Sequence, residues 1–200
     1  ADTIEQGWQG RVTASHCTAM HSYDNAYAFK LIRLLSRAQV NVVANPFDNV
    51  VLQGRFDTYP KRRGITRVKE LLATGVNVAL GHDSIMDPWF PLGKGDMLAA
   101  AQLALYLCHM SGYEEINDVL DLITTNAARV LRIQDNYGIE EEKPANFLVL
   151  DAPSAFEALR LVPARLHVFK DGREVAYTTP GKSVLRRSAD DEGKEVTFRL

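Results

Sequence analysis

Apolar and polar positions fall into short blocks over the first eighty residues. "RVTASHC" (11–17) alternates and ends in a histidine, as a strand running into a loop would. Over 24–37, Ala28, Leu31, Ile32 and Leu35 recur at helical spacing, with Asp24 placed to cap them. The β-branched run "VNVVANP" (40–46) closes on a proline and reads as a buried strand. A polar stretch over 47–64 reads as a long loop, and 66–73 as a short helix closed by Gly75. "VNVALGHD" (76–83) reads as a third buried strand. Beyond it the apolar spacing is helical over 96–110, 114–123 and 125–131. The first of these helices is apolar almost all round, so it is expected to be buried on several sides. Strands alternating with helices imply an α/β fold with parallel strands joined by right-handed crossovers. The nearly continuous apolar strand cores imply helices covering the sheet. The last third changes character. "ANFLVLDA", "RLHVFKDGREVAYT" and "KEVTFRL" read as short strands, and Asp171-Gly172 marks a hairpin turn. The expected organisation is a βα array over 1–143 and a small β module over 144–200.

Composition narrows function by exclusion. The 23 basic and 25 acidic residues leave a net charge of −2, with no electrostatic pull toward nucleic acid or a membrane surface. No apolar run approaches the roughly 18 residues of a membrane span. Cys17 and Cys108 are the only cysteines, too few for a disulfide framework or a Cys-rich zinc site. They fit a reducing, cytoplasmic setting. The opening "ADTIEQGWQG" has no methionine and no basic-then-apolar leader, and reads like the interior of a longer chain.

Three successive strands deliver polar residues at their C-terminal ends: His16, Asn45 and Asp83. That end is where α/β barrels and open α/β sheets bind ligands. A lone histidine there is more often structural, and a lone aspartate can be a turn residue. The coincidence at three strand ends is what points to a site. Such a set suits metal-assisted hydrolysis, in which a carboxylate holds a cation and takes a proton from water while an imidazole hydrogen-bonds nearby. One Asp and one His are too few, because catalytic zinc or iron has three or more protein ligands. No HxH or HExxH pair is present, and His16 and His21 share neither a helix face nor a strand face. His109 reads as packing inside the apolar helix, and His167 as a surface strand residue. Gln53, Arg55 and Asp57 in the long loop read more readily as an ion pair, within the loop or between subunits, than as ligands. Asn45 before Pro46 also suits a turn.

The stretches "VTASHCTAMHSYDNAYAFKLI", "NVVANPFDNVVLQGRFDTYPKRRGITRVKELL", "GHDSIMDPWFPLG" and "LITTNAARVL…YGI…ANFLVLDA" together resemble cytosine deaminase, a branch of the amidohydrolase superfamily. The resemblance covers about 11–152 and runs more weakly to the end, and its "LQGRFDTYPKRRG" and "GHDxxxDPWxPLG" segments are specific to that branch. It implies the C-terminal part of a (β/α)8 TIM-type barrel, strands six to eight, plus a small C-terminal β-sandwich portion. His16 then matches the histidine after strand six that contacts the attacking hydroxide. Asp83 matches the strand-eight aspartate, both metal ligand and general base. Trp89 matches a tryptophan walling the base pocket. The resemblance further implies one divalent metal ion (iron or zinc), a small-molecule nucleobase substrate and a homo-oligomer. It also implies dependence on an N-terminal half that carries the HxH pair, a strand-five histidine, a glutamate and a glutamine. The implied reaction is hydroxide attack on C4 of a pyrimidine with loss of ammonia. The small zinc deaminases need H-x-E and P-C-x-x-C, which this sequence lacks.

One position departs from that pattern. The family reads G-H-D-D where this chain has Gly81-His82-Asp83-Ser84. The second aspartate lies near the ring edge at C5. Serine removes a carboxylate whose desolvation would penalise an apolar neighbour, and leaves room for about a methyl group. Ser84 therefore points to a C5-substituted ring such as 5-methylcytosine, although it reads equally as a neutral turn residue. Hydrolysis of an aminotriazine or another cyclic amide stays open. So does a degenerate, non-catalytic barrel acting as an interaction protein.

Overall fold

The structure is a computed structural model that describes residues 1–197. The chain divides into two compact units, Ala1–Tyr137 and the residues from Gly138 onward. The composition shift at 143/144 lies a few residues beyond this boundary.

In chain order the first unit holds α1 (Asp2–Glu5), β1 (Thr13–Ser15), a 3-10 turn (Thr18–Ser22), α2 (Asn25–Arg37), β2 (Asn41–Ala44) and α3 (Pro46–Leu52). It continues with α4 (Val68–Ala73), β3 (Val78–Leu80), α5 (Met97–Leu107), α6 (Tyr113–Asp121) and α7 (Thr125–Leu131). A short 3-10 turn, Gln134–Asn136, follows. The three strands pair in parallel in the order β1-β2-β3, with Val42, Ala44, Val78, Ala79 and Leu80 buried. An order that follows the sequence without reversal is what a barrel wall has. Helices α4, α5 and α7 pack against β3, and α3 packs against α5. Among the fully buried side chains are Ile32 of α2 and Leu71 of α4, from the two crossovers, and Val119 and Leu122 from α6 and its C-cap.

Caps set the helix limits. Asp24 accepts the Tyr27 N–H at 2.9 Å to start α2, and Asp96 accepts the Ala99 N–H at 3.1 Å to start α5. Gly75 closes α4 in the left-handed region at φ +80°. As its all-round apolar pattern implies, α5 buries Leu98, Ala100, Ala101, Ala104 and Leu105.

Two expectations fail here. The stretch expected as loop from residue 47 begins as helix α3, with Pro46 at its start, where a fixed φ and a missing N–H cost nothing. Its polarity misleads because Asp48 and Asn49 are buried rather than solvated. His109 is not packing inside α5. The helix ends at Leu107, and His109 lies past it, exposed, at φ +53°. The remainder of the long loop carries an internal ion pair, with Arg62 donating to both Asp57 oxygens at 2.6 and 2.7 Å.

The second unit holds β4 (Phe147–Leu150), α8 (Ala155–Leu161), β5 (Arg165–Lys170), β6 (Arg173–Tyr177), β7 (Ser183–Leu185) and β8 (Lys194–Val196). Strands β4-β5-β6 form an antiparallel sheet and β7-β8 a separate ribbon. Asp171 and Gly172 turn the β5-β6 hairpin with φ +49° and +76°, the pair of left-handed residues that matches strand twist. Exposed His167 lies on β5, as expected. Helix α8, started by Ser154 Oγ accepting the Glu157 N–H at 3.2 Å, was not evident from the apolar pattern, and neither was β7. Of "KEVTFRL", the last three residues lie outside the described residues. No described helix is long and apolar enough to cross a membrane.

Candidate active site

The parallel ladder continues one residue past each strand. His16 N–H donates to the Val43 carbonyl at 2.7 Å, and Gly81 N–H to the Ala44 carbonyl at 2.9 Å. By that register Asn45 is level with Gly81 and His16 lies one residue lower, beside Ala44, all three on the C-terminal rim of the sheet. Two of the residues that follow leave the extended region. His16 has φ +63° and Asp83 φ +65°. Neither is glycine, so each costs on the order of 1–3 kcal/mol that ordinary turns avoid. The outcome of this backbone bend is a contact: His16 Nε2 lies 3.1 Å from Asp83 Oδ2. Their side chains keep 41% and 35% of their surface exposed, so a small molecule can reach both.

Helix α3 and the β2 end buttress this pair. Asn49 Nδ2 lies 2.9 Å from His16 Nδ1, and Asn49 Oδ1 accepts the Asn45 N–H at 3.4 Å. Asn45 Nδ2 in turn donates to Ser15 Oγ at 3.2 Å. Gly81 is needed for this packing, because a Cβ there would overlap Asn45 Oδ1. Gly81→Ala is accordingly expected to displace Asn45 and cost about 1–3 kcal/mol in denaturant unfolding. An unchanged midpoint would show that Asn45 can move freely.

Asp48, 3% exposed, brings a second carboxylate to the site. Its Oδ1 has no hydrogen-bond partner among the described residues. Burial pushes the Asp83 carboxyl above its ordinary range, the Asp48 charge pushes it further, and His16 pulls it back. Asp48 and Asn49 were not singled out from sequence. The available clue was an Asp-Asn pair one turn into a segment that opens Asn45-Pro46.

Ser84 is buried and bonds the Asp87 carboxylate. Asp87 Oδ1 also accepts the Phe90 and Trp89 N–H groups, both at 2.9 Å, and these bonds, Phe90 first, hold its carboxyl below the usual range. The turn presents Trp89 with 64% of its surface exposed. Buried His82 donates from Nδ1 to the Ser84 carbonyl at 3.1 Å and packs its ring on Phe47. The structure thus brings His16 and Asp83 together, and ties Ser84 and Trp89 to one another through Asp87. His21 Nδ1 lies 3.0 Å from the hydroxyl of its neighbour Ser22. Burial raises both thiols, Cys108 to about 12, so neither is a ready thiolate nucleophile.

Residues 1–176 match the model of the amidohydrolase family. The chain belongs to that family. Its fold is the TIM barrel, and its members typically bind a divalent metal. A 5-methylcytosine deaminase from Klebsiella pneumoniae, solved with 5-fluorocytosine, is 45% identical with a TM-score of 0.86, covering 90% of this chain and 44% of that one. The N-isopropylammelide isopropyl amidohydrolase of Pseudomonas sp. strain ADP is 31% identical over 86% of this chain and 39% of its own. A pterin deaminase from Rhizobium rhizogenes is 28% identical over 90% of this chain and 41% of its own. This amidohydrolase chain therefore spans about two fifths of the length of the curated relatives it matches.

A divalent cation fits what this amidohydrolase presents. Two carboxylates lie side by side, one of them buried with an unpartnered oxygen, and a cation offsets that like-charge cost. The donor set is partial, since no group of three His, Cys, Asp or Glu among the described residues could hold a metal.

Proposed function

We propose that this chain forms strands six to eight of a (β/α)8 barrel together with part of a β-sandwich. On this reading the full-length protein deaminates free 5-methylcytosine to thymine. The observation that carries it is the His16–Asp83 contact at the ends of β1 and β3. Asp83 takes a proton from the attacking water and returns it to the departing amino nitrogen. His16 hydrogen-bonds the oxygen that adds at C4. The C4–N bond breaks, ammonia leaves, the second proton of the water ends on ring N3, and the ring keeps the new oxygen as its carbonyl. Iron or zinc held by Asp83, with further ligands from polypeptide outside this chain, would supply Lewis acidity and a more acidic water. Trp89 walls the base and Ser84 faces C5, where serine leaves space for a methyl group. Likeness to a 5-methylcytosine deaminase supports that choice of ring. The protein is proposed to act as a homo-oligomer.

Likeness to the N-isopropylammelide enzyme supports a second reading, hydrolysis of an aminotriazine. Amine release by the full-length protein separates the two. The deaminase reading expects kcat/KM for 5-methylcytosine at least about tenfold above that for cytosine, the discrimination one methyl group can provide. Preference for cytosine would remove the C5 assignment. Turnover of N-isopropylammelide alone would support the second reading, and no amine from any of the three would support a degenerate barrel.

A further inference from the structure

We propose that Asn49 is a positioning residue that selects the Nε2–H tautomer of His16. This rests on the deaminase reading for its role, but on the structure for its direction. The two ends of the Asn49 amide are told apart by their partners. A backbone N–H can only donate, so the end facing Asn45 N–H, 3.4 Å away, is the oxygen. The NH2 end then faces His16 Nδ1 at 2.9 Å. An amide NH2 can only donate, so Nδ1 carries the lone pair and the ring proton sits on Nε2. Nε2–H points at Asp83 Oδ2, 3.1 Å away. The hydrogen bonds therefore run one way: Asn45 N–H to Asn49, Asn49 to His16, His16 to Asp83.

Asn49 is suited to hold that order. It is 4% exposed and lies one turn into α3, which Pro46 starts at the strand end, so its amide has little freedom to invert. Inversion would set two donors against each other at Asn45 and leave the Asn49 oxygen facing Nδ1. The consequence is a division of labour. His16 reaches the reaction centre as a hydrogen-bond donor, and Asp83 is left as the base. Outer partners that fix a ring nitrogen in this way commonly contribute 10–100-fold to activity or affinity.

The test uses the full-length protein with 15N-labelled histidine and two variants. In the wild type, the His16 resonances (assigned by their loss in His16→Gln) should show an unprotonated Nδ1 and a protonated Nε2. Asn49→Asp keeps the size and still accepts the Asn45 N–H, but accepts where Asn49 donates. It should bring a proton to Nδ1 beside the one that Asp83 holds on Nε2, and lower kcat about 10–100-fold, with KM within about twofold. Asn49→Leu should lower kcat similarly. If Asn49 only fills space or anchors α3, Asn49→Asp will keep kcat and leave Nδ1 unprotonated, and that result overturns the proposal. A wild-type Nδ1–H does so as well, whatever the fate of the variants. If the wild type deaminates no pyrimidine, the functional reading falls, while the spectra of wild type and Asn49→Asp still decide the tautomer.

Discussion

Asp83→Asn in the full-length protein is expected to lower kcat/KM for 5-methylcytosine by about 10³-fold, the middle of the range for loss of a positioned proton-transfer group. The amide keeps the shape of the carboxylate but cannot take a proton from water. A second consequence runs in the opposite direction. Burial and the Asp48 charge both raise the Asp83 carboxyl in the folded protein. A raised carboxyl means that the fold penalises the ionised form. The penalty is absent below the ordinary carboxylate pKa of about 4 and grows as pH rises through the raised value. The metal-free wild type should therefore lose stability across that window, and Asp83→Asn should not. Thermal melts of both metal-free proteins between about pH 4 and 8 check this, with the variant more stable at the upper end. A wild type that gains on the variant as pH rises would mean that the Asp83 charge is favourably paired in the fold. Lost activity with gained stability is the usual mark of a residue kept for chemistry.

Ser84→Asp is expected to shift the kcat/KM ratio of 5-methylcytosine to cytosine toward cytosine by about 10–200-fold, the range for one methylene-sized difference in a pocket. The added carboxylate would lose hydration against the methyl group. It would also meet Asp87, which now accepts a hydrogen bond from Ser84 and holds the turn carrying Trp89. Both substrates are therefore measured. Loss confined to 5-methylcytosine identifies contact at C5, whereas equal loss for both identifies a loosened Asp87 turn and removes the specificity role. Ser84→Ala, which adds no charge, should keep the preference for the methylated ring.

Much of the rim was legible because parallel strands covered by helices have continuous apolar cores, and the polar residue that breaks each run marks its end. That pattern located His16, Asn45 and Asp83. It could not show that His16 and Asp83 touch, because their contact depends on left-handed backbone at both residues, which hydrophobic spacing does not encode. Helix α3 was hidden for a related reason. Asp48 and Asn49 look like loop residues, yet both are buried, Asn49 against His16 and Asp48 beside Asp83. Polarity is a guide to exposure except where polar groups find partners inside, and α3 is such a place. His109 shows the converse: an apolar run continued past the last helical turn, and the residue beyond it turned out to solvent. In the second unit, β5 and β6 were readable from the Asp171-Gly172 turn, whereas α8 and β7 are short and carry little periodicity.

The claim beneath all of this is that His16 and Asp83 serve one centre. The most direct test is a double-mutant cycle in the full-length enzyme: His16→Gln, Asp83→Asn and the pair, with kcat measured on 5-methylcytosine. Residues that act as a unit lose their contribution together, so the double variant should be no slower than Asp83→Asn alone. If the two losses multiply instead, the imidazole and the carboxylate act independently, and the shared centre at the strand ends is wrong.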